Sequence, residues 1–487
     1  MLPYSTLLSI DRQSTTPIYL QITNNMILQI KKGVIGAGTK LPGSRALSEQ
    51  LQVHRKTIIK TYEELLTQGW IEQIPAKGTF VNKKLPEVTP EKISLANNLS
   101  HAYPIQTGFT IQSNILLHRP VIKAGNLIGF DDGFPDVRLA PVEALSRTYR
   151  TILQRSFQKK LLLYGETQGN PYLREVLADY LHQSRGLAIS SNNICITRGS
   201  VMGIHLAAKI ICKQGDKVIV AEANYPAANM IFQQLGVQLL RVPVDEQGIC
   251  VDSIETLCKG QSIRLLYITS HHHYPTTVTL SAERRIRLLQ LAAQYGFAIL
   301  EDDYDYDFHY TSSPILPLAS ADTHGMVVYV GSLTKAIAPA FRVGYIVAPQ
   351  NLIEEAGYLR RIIDRQGDLI LEQAMAELIA EGELKRHLKK AQKLYHERRN
   401  FFCDLLEKHF PESISFKVPE GGMAVWATFH QRHNLETLST EAQKQGLLLG
   451  NGKNYDCDLQ NMTRMGFASS NLGEIEHSIH LLQKVMT

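Results

Sequence analysis

Apolar positions in PIYLQITNNMILQIKKG (17–33) fall at Ile18, Ile22, Met26, Ile27 and Ile30, the spacing of one helix face, and the stretch ends on a glycine. LPGSRALSEQL (41–51) predicts a short second helix with Ser44 as its cap. HRKTIIKTYEELLTQGW predicts a third, from near Arg55 to Gly69. WIEQI and GTFV, on either side of PAKG, read as a compact hairpin. Three helices and a hairpin form a winged helix-turn-helix. Residues 83–127 lose this periodicity, with Pro86, Pro90, Pro104 and Pro120 dispersed among polar residues, and read as a partly extended linker. From residue 128 the pattern changes. VIVAEA, RLLYITS, FAILEDD and MVVYVGS are strand-like and are separated by amphipathic stretches such as SAERRIRLLQLAAQYG. That alternation predicts an α/β domain with a mostly parallel sheet. The expected organisation is therefore 1–82 winged helix, 83–127 linker and 128–487 α/β domain.

Charge sharpens the division. Residues 1–84 hold eight lysines and three arginines against one aspartate and four glutamates, a surplus of six, whereas the whole chain of 487 residues carries +5. The basic excess sits on the predicted winged helix, where a polyanion would bind. The six cysteines, Cys195, Cys212, Cys250, Cys258, Cys403 and Cys457, contain no CxxC pair and suggest neither a disulfide framework nor a zinc site. The first residues reach Asp11 before any signal-like apolar core, and no run of eighteen apolar residues occurs, so a cytoplasmic protein without a membrane segment is expected.

The chemistry concentrates after the predicted strands. In parallel sheets sites gather at the C-terminal strand ends. Those ends here carry Tyr225, His271 to Tyr274, Asp302 and Tyr304, and Ser332 to Lys335. GSLTKAIAPAFRVGY also places Lys335 and Arg342 in an otherwise small and apolar stretch, where burying either charge unpartnered costs several kcal/mol. An amine, a carboxylate, a phenol and hydroxyls beside a cation are the set pyridoxal 5′-phosphate (PLP) requires. The histidines 271–273 invite a metal reading, but no nearby spacing completes a ligand set.

Two resemblances bear on these readings. GTKLPGSRALSEQLQVHRKTIIKTYEELLTQGWIEQIPAKGTFV resembles the DNA-binding module of GntR-type repressors. It implies that Arg45, Arg55, Lys56 and Thr57 contact DNA, with Lys77 and Gly78 on the wing; His54 replaces the more usual Ser cap. YGETQGNPYLREVLADYL, ITRGSVMGIHLAAKIICKQGDKVIVAEANYP, EDDYDYDF and GSLTKAIAPAFRVGY resemble fold-type I aminotransferase motifs in order. Together the chain resembles a MocR-type regulator. The resemblance implies a large PLP-dependent transferase fold with a smaller C-terminal α+β subdomain. It makes Lys335 the Schiff-base lysine, Asp302 the pyridinium partner, Tyr304 the donor to the ring oxygen and Tyr225 the ring stacker. Ser332, Thr334, Arg342 and the backbone at Ser200 and Val201 would hold phosphate, and Arg464 in TRMGFA a ligand carboxylate. It implies further a head-to-tail homodimer, operator DNA as partner, and PLP or an amino compound as effector.

Two positions depart from the pattern. His273 and Thr277 stand where Gln and Gly are usual, and a Thr there restricts positive φ, so this turn is expected to differ. A working aminotransferase with an appended DNA-binding domain, and a PLP protein whose basic N-terminus mediates only protein contacts, remain the alternative readings.

Overall fold

The computed structural model describes residues 3–85, 104–114, 117, 128–310, 315–455 and 461–487. Much of the stretch read as linker, and Cys457, lie outside the described residues. The chain divides into two compact units, Met1–Gln112 and Ser113–Thr487.

In the first unit, the helices Ile18–Lys31, Ser44–Leu51 and Arg55–Thr67 precede an antiparallel hairpin of Ile71–Ile74 with Gly78–Val81. The first helix buries Ile22, Thr23, Met26 and Ile30, positions four or so apart that meet on one face. Leu47, Ile58, Leu65 and Val81 complete the core with 0% exposure. Ser44 is not the cap of the second helix. Gly43, extended after Pro42, takes that position without a side-chain bond, and Ser44 Oγ accepts instead from Arg55 Nε at 3.3 Å. His54 does cap the third helix, its Nδ1 accepting from Lys56 N–H at 3.2 Å. Two features escape the periodicity. Tyr4 and Leu8, around the short helix Tyr4–Leu7, are buried in this core. Residues Thr39–Leu41 extend the hairpin, through Val81 N–H to Thr39 O and Leu41 N–H to Thr79 O, both 2.9 Å.

The second unit is built on a seven-stranded sheet ordered Ile194–Thr197, Gly344–Val347, Val327–Ser332, Ala298–Asp303, Leu265–Ile268, Lys217–Ala221, Gln238–Val242. Gly344–Val347 runs antiparallel to both neighbours and the remaining pairs are parallel. Ile194–Thr197, Leu265–Ile268 and Gly344–Val347 are buried on both faces, which is why they read as continuous apolar runs, whereas the edge strand Gln238–Val242 is partly exposed. Ser281 caps the helix Ala282–Tyr295 by accepting from Arg284 N–H. A smaller antiparallel sheet of Ile414–Phe416, Ala424–Phe429 and Met462–Gly466 lies with the helices Leu435–Lys444 and Leu472–Met486, the α+β part expected near the C-terminus. Among the described residues, no helix is long and apolar enough to cross a membrane.

Ile58 anchors the third helix of the first unit from a fully buried position. Ile58→Ala should cost about 2–5 kcal/mol there. Hydrogen exchange on the full chain should show protection lost in Arg55–Thr67 and retained in the strand Lys217–Ala221.

Candidate functional site

The strand Ala298–Asp303 sends successive side chains to opposite faces, so its last two acids enter different surroundings. Asp302 is 4% exposed; its Oδ2 accepts from Tyr267 OH at 2.7 Å and its Oδ1 has no partner. Burial raises its pKa to about 6, against the opposing bond from Tyr267. Asp303, on the other face, accepts from Tyr329 OH at 2.5 Å, and Arg185 Nε reaches the same hydroxyl at 2.9 Å. Burial raises Asp303 to about 7.

Lys335 follows the next strand, Val327–Ser332. Its Nζ donates to Gly133 O at 2.7 Å and lies 4.7 Å from the centre of the Tyr304 ring. Burial lowers the pKa of the amine, with Asp305 the largest charge acting the other way. A desolvated amine is held closer to its neutral, nucleophilic form. Tyr304 OH donates to the His272 carbonyl at 2.9 Å. Tyr225 is the N-cap residue of the helix Pro226–Gln234, and its ring packs edge-on to Tyr274 at 5.3 Å. Burial pushes the Tyr225 phenol up to about 12, and Asp302 adds to this.

A second cluster forms around Gly199, the N-cap of the helix Ser200–Ile211. The first N–H groups of that helix, at Ser200 and Val201, have no acceptor one turn back and are available to an anion. Gly199 has φ +82°, and a Cβ there would lie 2.6 Å from Arg342 Nη2. A Cβ on Gly344 would lie 2.7 Å from the Gly199 carbonyl carbon. Two absent side chains thus let the helix start approach Arg342, itself at φ +50° and donating to Arg198 O at 3.1 Å. Ser332 Oγ accepts from Thr334 N–H at 3.1 Å, while the buried Thr334 Oγ1 has no partner.

Arg464, on the strand Met462–Gly466, is 2% exposed and so is no surface ion pair. It donates from Nη1 to Pro275 O at 3.0 Å, sits 3.4 Å from Asp132 Oδ1 through Nε, and lies 5.0 Å from the Tyr274 ring centre. The three histidines go separate ways. His271 packs on Tyr306 at 4.4 Å, His272 Nδ1 meets Asp305 Oδ1 at 2.8 Å, and His273 Nδ1 meets Thr276 Oγ1 at 2.8 Å. Burial lowers His273 to about 3, so it is neutral. Among the described residues no group of three or more His, Cys, Asp or Glu is placed to hold a metal. Thr277 keeps the left-handed conformation, φ +64°, despite its β-branch. The turn is closed by Thr277 N–H to His273 O at 2.7 Å and His273 N–H to Val278 O at 2.8 Å. Threonine here thus adopts the positive φ that its side chain disfavours.

In the first unit, Arg45, Arg55 and Lys56 are exposed and Thr57 half-buried. Lys77 and Gly78 are exposed at the hairpin turn, where Ala76 has φ +60° and Gly78 φ +111°. Lys40 was not singled out by motif, yet its side chain lies beside Gly78, 3.2 Å from where a Cβ would be. Asp132 and Asp305 were also missed: Asp132 belongs to no quoted motif, Asp305 lies within EDDYDYDF without a role of its own there, and the charges of both act on the lysine only through the fold.

Residues 128–482 match the family described as aminotransferase class I and II, and residues 18–81 the gntR family of bacterial regulatory proteins. The chain belongs to the class I and II aminotransferase family. Joined to a GntR helix-turn-helix, it has the arrangement of MocR-type regulators. It is 28% identical to the probable rhizopine catabolism regulatory protein MocR of Rhizobium meliloti, over 91% of this chain and 87% of that protein. It is 26% identical to the pyridoxine biosynthesis transcriptional regulator PdxR of Corynebacterium glutamicum, over 82% and 81%. Among solved structures, a Pyrococcus horikoshii kynurenine aminotransferase superposes with a TM-score of 0.71 at 26% identity, over 77% of this chain and 96% of that one.

The cofactor of this fold is PLP, and the residues present fit it: the unpartnered Asp302 Oδ1 and Thr334 Oγ1, the amine of Lys335 and the glycine-lined space at Arg342 are what its nitrogen, phosphate and aldehyde need. Were Asp302 the partner of the ring nitrogen, it would offer a charge only above about pH 6, where it gives up its proton. PLP affinity of the full chain, measured by equilibrium titration, should therefore rise with pH through about 6 and then level off. Asp302→Asn should bind more weakly on the plateau and lack the rise. An unaltered profile in that variant would place the charge partner elsewhere.

Proposed function

We propose that this protein is a DNA-binding transcriptional regulator whose aminotransferase-like unit binds PLP and senses PLP or an amino compound. The observation that carries the reading is the presence in one chain of a GntR helix-turn-helix with an exposed basic helix start and a half-buried lysine near a buried aspartate–tyrosine pair at the ends of a parallel sheet.

Bound PLP supplies an electrophilic carbonyl for an amine and a ring that withdraws electrons from it. Lys335 would attach to that carbon, helped by the burial that lowers the pKa of its amine. Asp302 would face the ring nitrogen with Oδ1 while Tyr267 fixes the carboxylate through Oδ2. Tyr304 would turn its hydroxyl from the His272 carbonyl to the ring oxygen, and Tyr225 would cover one face of the ring. Ser332, Thr334, Arg342 and the N–H groups of Ser200 and Val201 would hold the phosphate. Arg464 would receive the carboxylate of an amino-acid effector. The same inventory would serve transamination, so the attached GntR module is what favours regulation.

On DNA, Arg45, Arg55, Lys56 and Thr57 would face the major groove, with Lys77 and Gly78 on the wing against the minor groove. Homodimerisation is part of this reading: Leu162, Leu163 and Tyr164 are 68–78% exposed on the second unit, an apolar surface that a second copy would cover. Effector binding would control DNA only through different affinities for two arrangements of the protein.

Borohydride reduction of the full chain with PLP should leave a pyridoxyl mass on the peptide containing Lys335 and none on Lys335→Ala. A label at another lysine would overturn the assignment. Arg55→Ala should lose about 1–3 kcal/mol on a duplex selected from a random library by the wild type, with a change in base preference. A uniform loss on all duplexes would make Arg55 a phosphate contact instead.

A further inference from the structure

Arg464, the buried cation to which the proposed function gives an incoming carboxylate, already faces one. Asp132 Oδ1 lies 3.4 Å from Arg464 Nε, and its Oδ2 accepts from Tyr274 OH at 2.9 Å. This placement is built into the backbone. The neighbouring Asp131 accepts through Oδ1 from Gly133 N–H at 2.8 Å and Phe134 N–H at 2.9 Å. Its carbonyl accepts from Gly466 N–H at 2.8 Å, on the strand that carries Arg464. Gly133 O, one residue further, accepts from Lys335 Nζ at 2.7 Å. The segment 131–134 is thus tied to the lysine and to the arginine strand at once, with Asp132 held between.

We propose that Asp132 is an internal competitor for the carboxylate site of Arg464 and so sets which ligands the pocket admits. The inference rests on Arg464 being that site. A carboxylate next to a buried guanidinium neutralises the charge that would attract a second carboxylate. A ligand must then displace it, and its apparent affinity falls by the fraction of molecules in which Asp132 has moved away. The side chain can leave readily. The Arg464 side chain is 1% exposed but the Asp132 side chain is 42% exposed, so rotation of the aspartate carries its charge into water rather than into the core. Displacement also removes one of the contacts holding a segment whose other end is bound to Lys335, so occupation of the carboxylate site and the state of the lysine act on the same four residues. Neutral ligands of the same shape gain nothing from the exchange, because they offer Arg464 no charge in place of the one removed.

The test needs no knowledge of the natural effector. Propionate, with propionamide as its neutral counterpart, is titrated into the full-length chain by ligand-observed NMR, with and without PLP. Asp132→Asn, nearly isosteric, should bind propionate about five- to ten-fold more tightly than wild type, an amount equal to about 1–1.4 kcal/mol. Propionamide should be unaffected, and adding Arg464→Ala to Asp132→Asn should abolish the gain. Asp132→Ser should behave like Asp132→Asn, and both should melt at the wild-type temperature. Equal or weaker propionate binding in both variants would overturn the proposal, as would an equal gain for propionamide or a gain that survives Arg464→Ala. Borohydride labelling of Lys335 in the same variants separates this outcome from a failure of the PLP reading itself, since loss of labelling would not alter the propionate comparison.

Discussion

Two adjacent carboxylates at the end of one central strand carry the structural cost of this site. Asp302 and Asp303 are both buried, and an unpaired buried charge is disfavoured by several kcal/mol. Each has therefore acquired a phenol from a neighbouring strand: Tyr267 for Asp302 and Tyr329 for Asp303. Asp303 is satisfied further by Arg185, which also binds Asp307 at 3.0 Å and packs over Tyr306. That network closes the far face of the strand. Asp302 keeps one oxygen open on the near face, where chemistry can use it.

Around this edge the fold gathers cations, a free hydroxyl and an amine. The helix start at Ser200 and the cation of Arg342 are brought together by two glycines that leave no Cβ between them. Thr334 adds a hydroxyl with no other partner. The amine of Lys335 is desolvated but lies among Asp131, Asp132, Asp305 and Arg464, so its protonation reflects several neighbours at once. Arg464 holds its charge in a fully buried position because phenols and carboxylates face it, Tyr304 and Asp132 foremost.

The first unit follows a different logic. Its core is a small apolar cluster, and its charges are left on the surface, where their potential extends about a Debye length into solvent. The third helix begins on an imidazole cap, and Arg55 is steadied by the hydroxyl of Ser44 on the preceding helix. A cap that moved by one residue therefore freed a hydroxyl for a cation on the exposed face.

The sequence by itself determined the elements and the inventory. Helix spacing identified the winged helix, alternating apolar runs identified the parallel sheet, and strand-end motifs pointed to Lys335, Asp302, Tyr304 and Arg342, because periodicity and short-range motifs are local properties. It did not reveal the buried start of the chain at Tyr4 and Leu8, or the residues 39–41 that extend the hairpin, because both depend on partners far along the chain. Nor did it foresee that Thr277 would accept a left-handed backbone, since that strain is offset by hydrogen bonds visible only in the closed turn. Tertiary structure alone decided that Asp132, more than three hundred residues before Arg464, would stand beside it. Burial makes that contact consequential: in water two such charges would scarcely interact, whereas next to a guanidinium removed from solvent they define what else can bind.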